Sequence, residues 1–346
     1  MIREKKTLAA LPAAVIAVTC LCTTGFAQNA QPNFDNLEMH SLHVQGNVWM
    51  LTAGPFNAAV SIGPDGVLVV DTMVAPLADK MIAEIKRIAG DKPIRYILNT
   101  HYHPDHTGGN ARVASAGASI VAGNFAAQVG AEAANAAAVI AHEKTQTRML
   151  ELQPPIPTVG MPLDTFFTER KEMFFNGEPV QMIYQPNAHT DGDVIVFFRR
   201  SDVIVAGDVY INTTFPIFRV EQGGSYQGSI DALNAIIDLA VPADKEEGGT
   251  YVIPGHGRLV DEYDVVDYRD MNTIIRNRFQ DAIKRGMTLD QVKAARLVRD
   301  YEGRYGAAQG FWTTDNFIEA VYRSLTPPPA KPAGQPQAPK PRNQKR

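Results

Sequence analysis

Ile94-Arg95-Tyr96-Ile97-Leu98-Asn99-Thr100-His101-Tyr102-His103-Pro104-Asp105-His106 is the stretch that decides the fold. Ile94–Leu98 has the length and composition of a strand, and Asn99 and Thr100 lead out of it. Three imidazoles and a carboxylate then follow within six residues. Alternate residues of an extended segment point the same way, so His101 and His103 can hold one ion together. Asp105 and His106 lie past the turn at Pro104, where they can face a second ion. Neutral nitrogens and a hard oxygen suit Zn²⁺ or a similar divalent ion. The alternative is a solvated His-rich loop, since isolated histidines are ordinarily unremarkable.

Further along, three more strand-end positions supply ligands of the complementary types. His189 lies in the polar loop Pro186–Asp193, between the strand-like runs Val180–Tyr184 and Val194–Phe198. Asp208 ends the buried-looking run Asp202–Asp208, and His256 is flanked by glycines in Val252-Ile253-Pro254-Gly255-His256-Gly257. Taken singly, Asp208 could cap a helix and His189 could be an ordinary loop histidine. Four such sites in one chain make coincidence a poor explanation.

Together these residues resemble the metallo-β-lactamase-fold hydrolases. The chain carries the H-x-H-x-D-H signature at His101–His106, the later His189, the Asp208 after a hydrophobic strand, and Gly255-His256-Gly257. The resemblance runs roughly from Val44 to Val260; its motifs are specific for the fold and a two-metal site and weakly specific for substrate. It implies two Zn²⁺ per chain, with iron or manganese as alternatives. One ion would take His101, His103 and His189; the other would take Asp105, His106 and His256, with Asp208 and a hydroxide bridging the pair. Asp105 would double as a catalytic proton carrier. Asp71 ends the strand-like run Val67–Val70 and resembles the family's carboxylate that holds a ligand imidazole by its distal N–H; a turn-forming Asp is the equal alternative. Thr52 to Asn57 resembles a flexible flap over the metals, and Ile211 to Tyr226 a second active-site loop. Asn57, Tyr210, Arg219, Ser225 and Tyr226 are therefore candidate substrate contacts, with ordinary loop packing the alternative for each.

The element order supports the same architecture. Val48–Leu51, Ala58–Ile62 and Val67–Val70 read as strands, with a strong turn at Gly63-Pro64-Asp65-Gly66. Leu77, Met81, Ile82, Ile85 and Ile88 recur at helical spacing up to Gly90. Ala126 to Leu152 is alanine-rich and predicts mainly helix, broken near Ala136 to Ala141. Phe174-Phe175-Asn176-Gly177 marks a hairpin. Beyond Gly257 the pattern turns helical: Tyr263 to Arg285, a capping box at Thr288-Leu289-Asp290-Gln291, and a last helix capped by Thr314 and running through Leu325. This order predicts an α/β, four-layer αββα sandwich with a helical C-terminal extension packed onto the same domain, over residues 28–325.

The two ends read differently. Arg3, Lys5 and Lys6 precede the apolar stretch Leu8–Cys22, and Gly25-Phe26-Ala27 offers small residues before a cleavage point. Residues 1–27 thus predict a cleaved signal and a periplasmic or secreted protein, too short an apolar run for a membrane span; a lipid anchor at Cys20 is a weaker reading. Both cysteines, Cys20 and Cys22, leave with that segment, so the mature chain holds no disulfide and no thiolate ligand. Losing three basic and one acidic residue moves the formal charge from −4 to −6. Acidity and export oppose a nucleic-acid partner, and a small-molecule substrate is expected. Residues 326–346 are Pro-rich and basic without periodicity, as in a disordered tail.

Substrate class follows from departures. The cysteine-bearing β-lactamases place a thiolate where this chain has Asp208, and the other dizinc β-lactamases lack a metal ligand there. Asp208 resembles the broader thioesterases, lactonases and phosphodiesterases, whereas export and the His189 loop look β-lactamase-like. The expected activity is hydrolysis of an activated carbonyl: an ester, thioester, lactone or β-lactam. A true β-lactamase, a mononuclear iron persulfide dioxygenase and a metal-binding protein without turnover are the alternatives; a diiron oxygen reductase would carry Glu at the position of His103.

Overall fold

The central strands Gly66–Val70, Asp193–Phe198 and Val203–Ile211 are buried at every position, which requires both faces of each sheet to be covered there. The computed structural model describes residues 33–119, 130–246 and 248–326. The expected signal over 1–27 and, Thr326 excepted, the expected tail lie outside the described residues. The first sheet holds β1 His40–Gln45, β2 Val48–Ala53, β3 Phe56–Gly63, β4 Gly66–Val70, β5 Ile94–Leu98, β6 Ala138–His142 and β7 Asp164–Phe166, in chain order. β1 to β4 pair antiparallel and β4 to β7 parallel. The second sheet runs β13-β12-β11-β10-β9-β8, with β8 Arg170–Phe175, β9 Glu178–Gln185, β10 Asp193–Phe198, β11 Val203–Ile211, β12 Tyr251–His256 and β13 Val260–Asp261.

Period-two alternation decides which layer each side chain enters. Leu68 and Val70 of β4 join Val194, Val196, Phe198, Val203 and Val205 in the core between the sheets. Their neighbours Val67 and Val69 turn outward onto Leu77, Met81 and Ile85 of the first helical layer. Likewise Ile195 and Phe197 of β10 and Ile204 and Ala206 of β11 face the helices on the far side. Each fully buried Val, Leu or Ile contributes about 1.5–3 kcal/mol, so a one-residue slip in any of these strands would exchange two cores at once. The result is the four-layer αββα sandwich.

Ten α-helices are described. They are α1 Ala78–Ala89, α2 Pro104–Thr107, α3 Asn110–Ser115, α4 Ala131–Asn135, α5 Glu143–Leu150, α6 Tyr226–Leu239, α7 Glu262–Lys284, α8 Leu289–Ala295, α9 Arg299–Tyr305 and α10 Thr314–Leu325. The C-terminal helices share one continuous core with the second sheet: Phe279 of α7, Val292 of α8 and Phe317 of α10 pack with Ile195, Ile204 and Phe215. Among the described residues no helix is long and apolar enough to cross a membrane.

Several local expectations need correction. The break expected at Ala136 to Ala141 is present between α-helical segments, and strand β6 occupies it, because Val139 and Ile140 fill opposite cores of the sandwich and that packing outweighs the helix propensity of alanine. The last helix is capped by Thr313, whose hydroxyl accepts from the Asn316 N–H, and not by Thr314. The Thr52–Asn57 segment is a tight hairpin, paired out to Ala53↔Phe56, and its Phe56 lies edge-on to His256 at 6.1 Å, on the side where the flap was expected. Asp208 does not end its strand; β11 continues to Ile211. The hairpin at Asn176-Gly177 has the expected positive φ at both residues, 53° and 79°.

Candidate metal centre

Strand ends from both sheets meet at one rim, and each carries a donor. At the exit of β5 the Thr100 N–H is taken by Asp71 Oδ1 at 2.8 Å. His103 is extended, and Pro104 opens the short α2 that turns Asp105 and His106 back toward the rim. The His189 loop is closed by Asp193, whose carboxylate accepts from the Thr190 N–H and hydroxyl at 2.7 and 2.6 Å. In β11 the register to β12 shifts around Gly207, at φ 53°, and this irregularity aims Asp208 at the histidines. A side chain at Gly207 would strike Thr100, and one at Gly255 would strike the Asp208 carboxylate. These two glycines let the donors approach.

Two donor sets result. His101 Nε2 lies 3.1 Å and His189 Nε2 2.9 Å from His103 Nδ1. Asp208 Oδ2 is 3.8 Å from His101 and 3.5 Å from His189. On the other side, Asp208 Oδ1 is 3.1 Å from His106 Nε2 and 3.4 Å from His256 Nε2, and Asp105 Oδ2 is 3.3 Å from His256. In each set the four donor atoms lie within 4.8 Å of one another. Ligands at about 2.0–2.1 Å around a tetrahedral ion are about 3.4 Å apart, so the spacing fits a divalent ion in each set. His106 Nε2 and Asp208 Oδ1 are buried and 3.1 Å apart, yet neither has a hydrogen-bond partner of good geometry. Such buried polar atoms are rare unless something else satisfies them.

The outward nitrogens are all held. His106 Nδ1 meets Asp71 Oδ2 at 2.7 Å, His101 Nδ1 meets Thr100 Oγ1 at 3.1 Å, and His256 Nδ1 meets the Pro55 carbonyl at 2.7 Å. His189 Nδ1 meets the Ile217 carbonyl at 2.5 Å, and His103 Nε2 meets Gln222 Oε1 at 3.2 Å. An acceptor there takes the outer N–H (for His101 the Thr100 hydroxyl, which itself donates to Asp71), so each inner nitrogen can ligate once it carries no proton.

Charge divides the rim. Burial, reinforced by neighbouring imidazoles, holds His101 well below the usual imidazole range and His103 at about 4. Burial works the same way at His106 and His256, but Asp208 and the other carboxylates outweigh it, raising His106 well above its ordinary value and His256 to about 10. Conversely, burial disfavours the charge on Asp105 and Asp208, yet His106 and His256 hold Asp105 at about 2 and Asp208 well below the carboxylate range. The carboxylates thus favour positive charge at His106 and His256, where a cation would sit.

A cleft of about 700 Å³ opens over these groups. Of the candidate contacts, Arg219 lines it. Asn57 does not: it is buried, and its amide donates to the Pro254 and Gly257 carbonyls at 2.9 and 3.0 Å, bracketing His256. Tyr210 is buried edge-on against Tyr268 at 5.2 Å. The Tyr226 hydroxyl donates to Asn272 Oδ1 at 2.8 Å inside the core. Ser225 caps α6, accepting from the Gly228 N–H at 2.9 Å. These three are structural because the helical layer claims them. Gln222 and Phe311, which the sequence did not single out, line the cleft instead; Gln222 falls within the Ile211–Tyr226 loop, whereas no local pattern marks Phe311.

The model of the metallo-beta-lactamase superfamily matches residues 45–256. The chain is 27% identical over 176 residues to the 2,4-dinitroanisole O-demethylase subunit alpha of Nocardioides sp. (strain JS1661), covering 50% of this chain and 47% of that protein. The match spans about half the length of that relative. Among solved structures it resembles a metallo-beta-lactamase from Pontibacter korlensis, with TM-score 0.51 and 16% identity over 68% of this chain and 99% of the other. It also resembles the stereoselective inverting sec-alkylsulfatase from Pseudomonas sp., with TM-score 0.59 and 16% identity over 87% of this chain and 52% of the other. With the family model spanning the donor-bearing strands of both sheets, the chain belongs to the metallo-beta-lactamase superfamily.

Proposed function

We propose that this protein is an exported, dinuclear zinc-dependent hydrolase of an activated carbonyl: an ester, thioester, lactone or β-lactam. The observation that carries this is Asp208, which turns one carboxylate oxygen to each donor set. Two divalent ions there would supply a hydroxide at neutral pH and polarise the bond to be broken. The chain's own residues supply the remainder. Asp105, with 31% of its side chain exposed and its Oδ2 3.3 Å from His256, is the carboxylate placed to carry a proton toward a departing oxygen. The apolar walls of the cleft, Phe56, Ile211 and Ile217 among them, exclude water around it.

The test is metal content of the purified protein, with hydrolysis measured over a penicillin, a carbapenem, a lactone, an acyl thioester and a 4-nitrophenyl ester. A 2,4-dinitrophenyl ether and a sec-alkyl sulfate belong in the panel, because the similar proteins are named for such substrates. Two zinc ions and turnover of a carbonyl substrate are expected; one iron and no zinc would transfer the assignment to an oxidoreductase. Protein recovered from its native host should begin near Gln28 by intact mass, and a mass retaining Met1–Ala27 would remove export.

Two consequences concern loading. Filling the His106/His256 set must expel the protons those imidazoles hold, whereas His103 is already bare at neutral pH. Ion binding there should release about two protons, and affinity should fall faster with falling pH than at the three-histidine set. Calorimetry in buffers of different ionisation enthalpy measures this; equal pH slopes at both sets would count against it. In the metal-free chain the sign is separate: His256 is raised to about 10, so its stabilising effect is complete below its ordinary value and is lost as pH climbs through about 10. The second consequence is at Gln222. Gln222→Ala should weaken the three-histidine set about 10–100-fold, and Gln222→Glu, which still accepts from His103, should restore it; competition with a chromophoric chelator reads both.

A further inference from the structure

Phe311 is a large apolar side chain left 72% exposed. It sits between α9 and α10, well beyond the family match that ends at residue 256, yet it lines the same cleft as His103, Asp105 and His256. The segment presenting it is tied at its base. Thr314 N–H donates to the Ala307 carbonyl at 2.9 Å, the Ala307 N–H donates to Thr314 Oγ1 at 3.1 Å, and Trp312 packs edge-on to Phe218. The aromatic ring is therefore held out over the cleft by an anchored loop.

Arg219 lies over that ring, its guanidinium carbon 5.1 Å from the centroid. Its ion pair with Glu221 is loose, at 3.9 Å, between side chains that are both substantially exposed. An aromatic face and a weakly paired guanidinium thus converge on one wall of a cleft whose other walls include Phe56 and Ile217. Apolar surface beside a fork of donors suits a ligand with a ring or chain that ends in a carboxylate.

We propose that the C-terminal segment completes the substrate site, with Phe311 and Arg219 together selecting substrates whose apolar group carries an anion. This rests on the hydrolase reading for the word substrate, but the recognition itself can be measured without turnover. The probes are 4-phenylbutyrate and 4-phenylbutan-1-ol, titrated by calorimetry into the full chain, both metal-free and zinc-loaded. The acid should bind about tenfold more tightly than the alcohol in both forms. Arg219→Gln should erase that preference, and Phe311→Ala should weaken both probes about five- to tenfold. Phe311→Leu, which keeps apolar bulk and loses the ring face, should fall between.

Equal affinity for acid and alcohol, or no effect of Phe311→Ala in a protein of unchanged melting temperature, overturns the proposal. So does a preference that survives Arg219→Gln, which would place the carboxylate on the metals. Hydrolysis of 4-nitrophenyl acetate by the zinc-loaded wild type separates the two ideas. If it is absent along with all other turnover while the binding pattern holds, the hydrolase reading fails and the recognition site stands. If turnover is present without the binding pattern, the reverse is true.

Discussion

Asp208→Ala should lower kcat/KM on the best carbonyl substrate by about 10³-fold or more, equivalent to roughly 4 kcal/mol of transition-state stabilisation. Metal content should fall from two ions toward one. The reason is geometric: Oδ1 serves His106 and His256 at 3.1 and 3.4 Å, while Oδ2 serves His189 and His101 at 3.5 and 3.8 Å, so one truncation opens both sets. Folding should suffer far less. Without the carboxylate the buried His106 and His256 can shed their protons and stay neutral, which limits the cost to about 1–3 kcal/mol. Asp208→Asn keeps the shape and loses the charge, and should resemble the alanine variant in metal content. Elemental analysis, a melting curve and initial rates decide it; two retained ions with wild-type rates would show that Asp208 bridges nothing.

Asp71→Ala should be costly in a different way. Asp71 is buried and accepts three hydrogen bonds: Thr100 N–H at 2.8 Å on Oδ1, with the Thr100 hydroxyl at 2.6 Å and His106 Nδ1–H at 2.7 Å on Oδ2. Removing it strands a buried backbone N–H and a buried imidazole, a loss of about 3–5 kcal/mol. Ion affinity at the His106 set should drop about 10–100-fold as well. Asp71→Asn is the sharper variant. Both carboxylate oxygens receive donors, so an amide NH₂ must face another donor in either orientation. The Thr100 backbone N–H can only donate, so the amide oxygen is held there and the NH₂ faces the Thr100 hydroxyl and His106 Nδ1, driving the ring to the tautomer whose Nε2 carries hydrogen, which blocks an ion. Asp71→Asn should therefore lose metal affinity despite its matching shape, read by urea unfolding and by chelator competition. Unchanged affinity in Asp71→Asn would mean that Asp71 only closes the turn.

How much of this was legible in the chain depended on whether the determinant is local. Asp208 stands out as a carboxylate inside the apolar run Val203–Ile211, whereas the donors His101, His103, Asp105, His106, His189 and His256 follow or close apolar runs, where a strand-to-loop transition is visible in neighbouring residues. Asp71 was readable for the same reason, and the Asn176-Gly177 turn because it needs two positive φ values. Tyr210, Ser225 and Tyr226 were misjudged as contacts because a loop sequence names the residues without saying which way they point. Tyr268 and Asn272, which pull the two tyrosines inward, lie on α7, and the Asn187 carbonyl that receives the Ser225 hydroxyl lies across the loop.

By itself the sequence determined the layer architecture and the set of donors, since hydrophobic periodicity, turn residues and ligand types are properties of short segments. Only the tertiary structure decided the partners. It made Val139 and Ile140 a strand between two cores, gave His103 its Gln222, and gave His256 its Pro55 carbonyl from 201 residues away. It also carried Phe311 from the C-terminal helices to the cleft. Those choices turn on contacts between segments far apart in the chain, where burial and hydrogen-bond satisfaction of the whole domain, and not local propensity, set the lowest free energy.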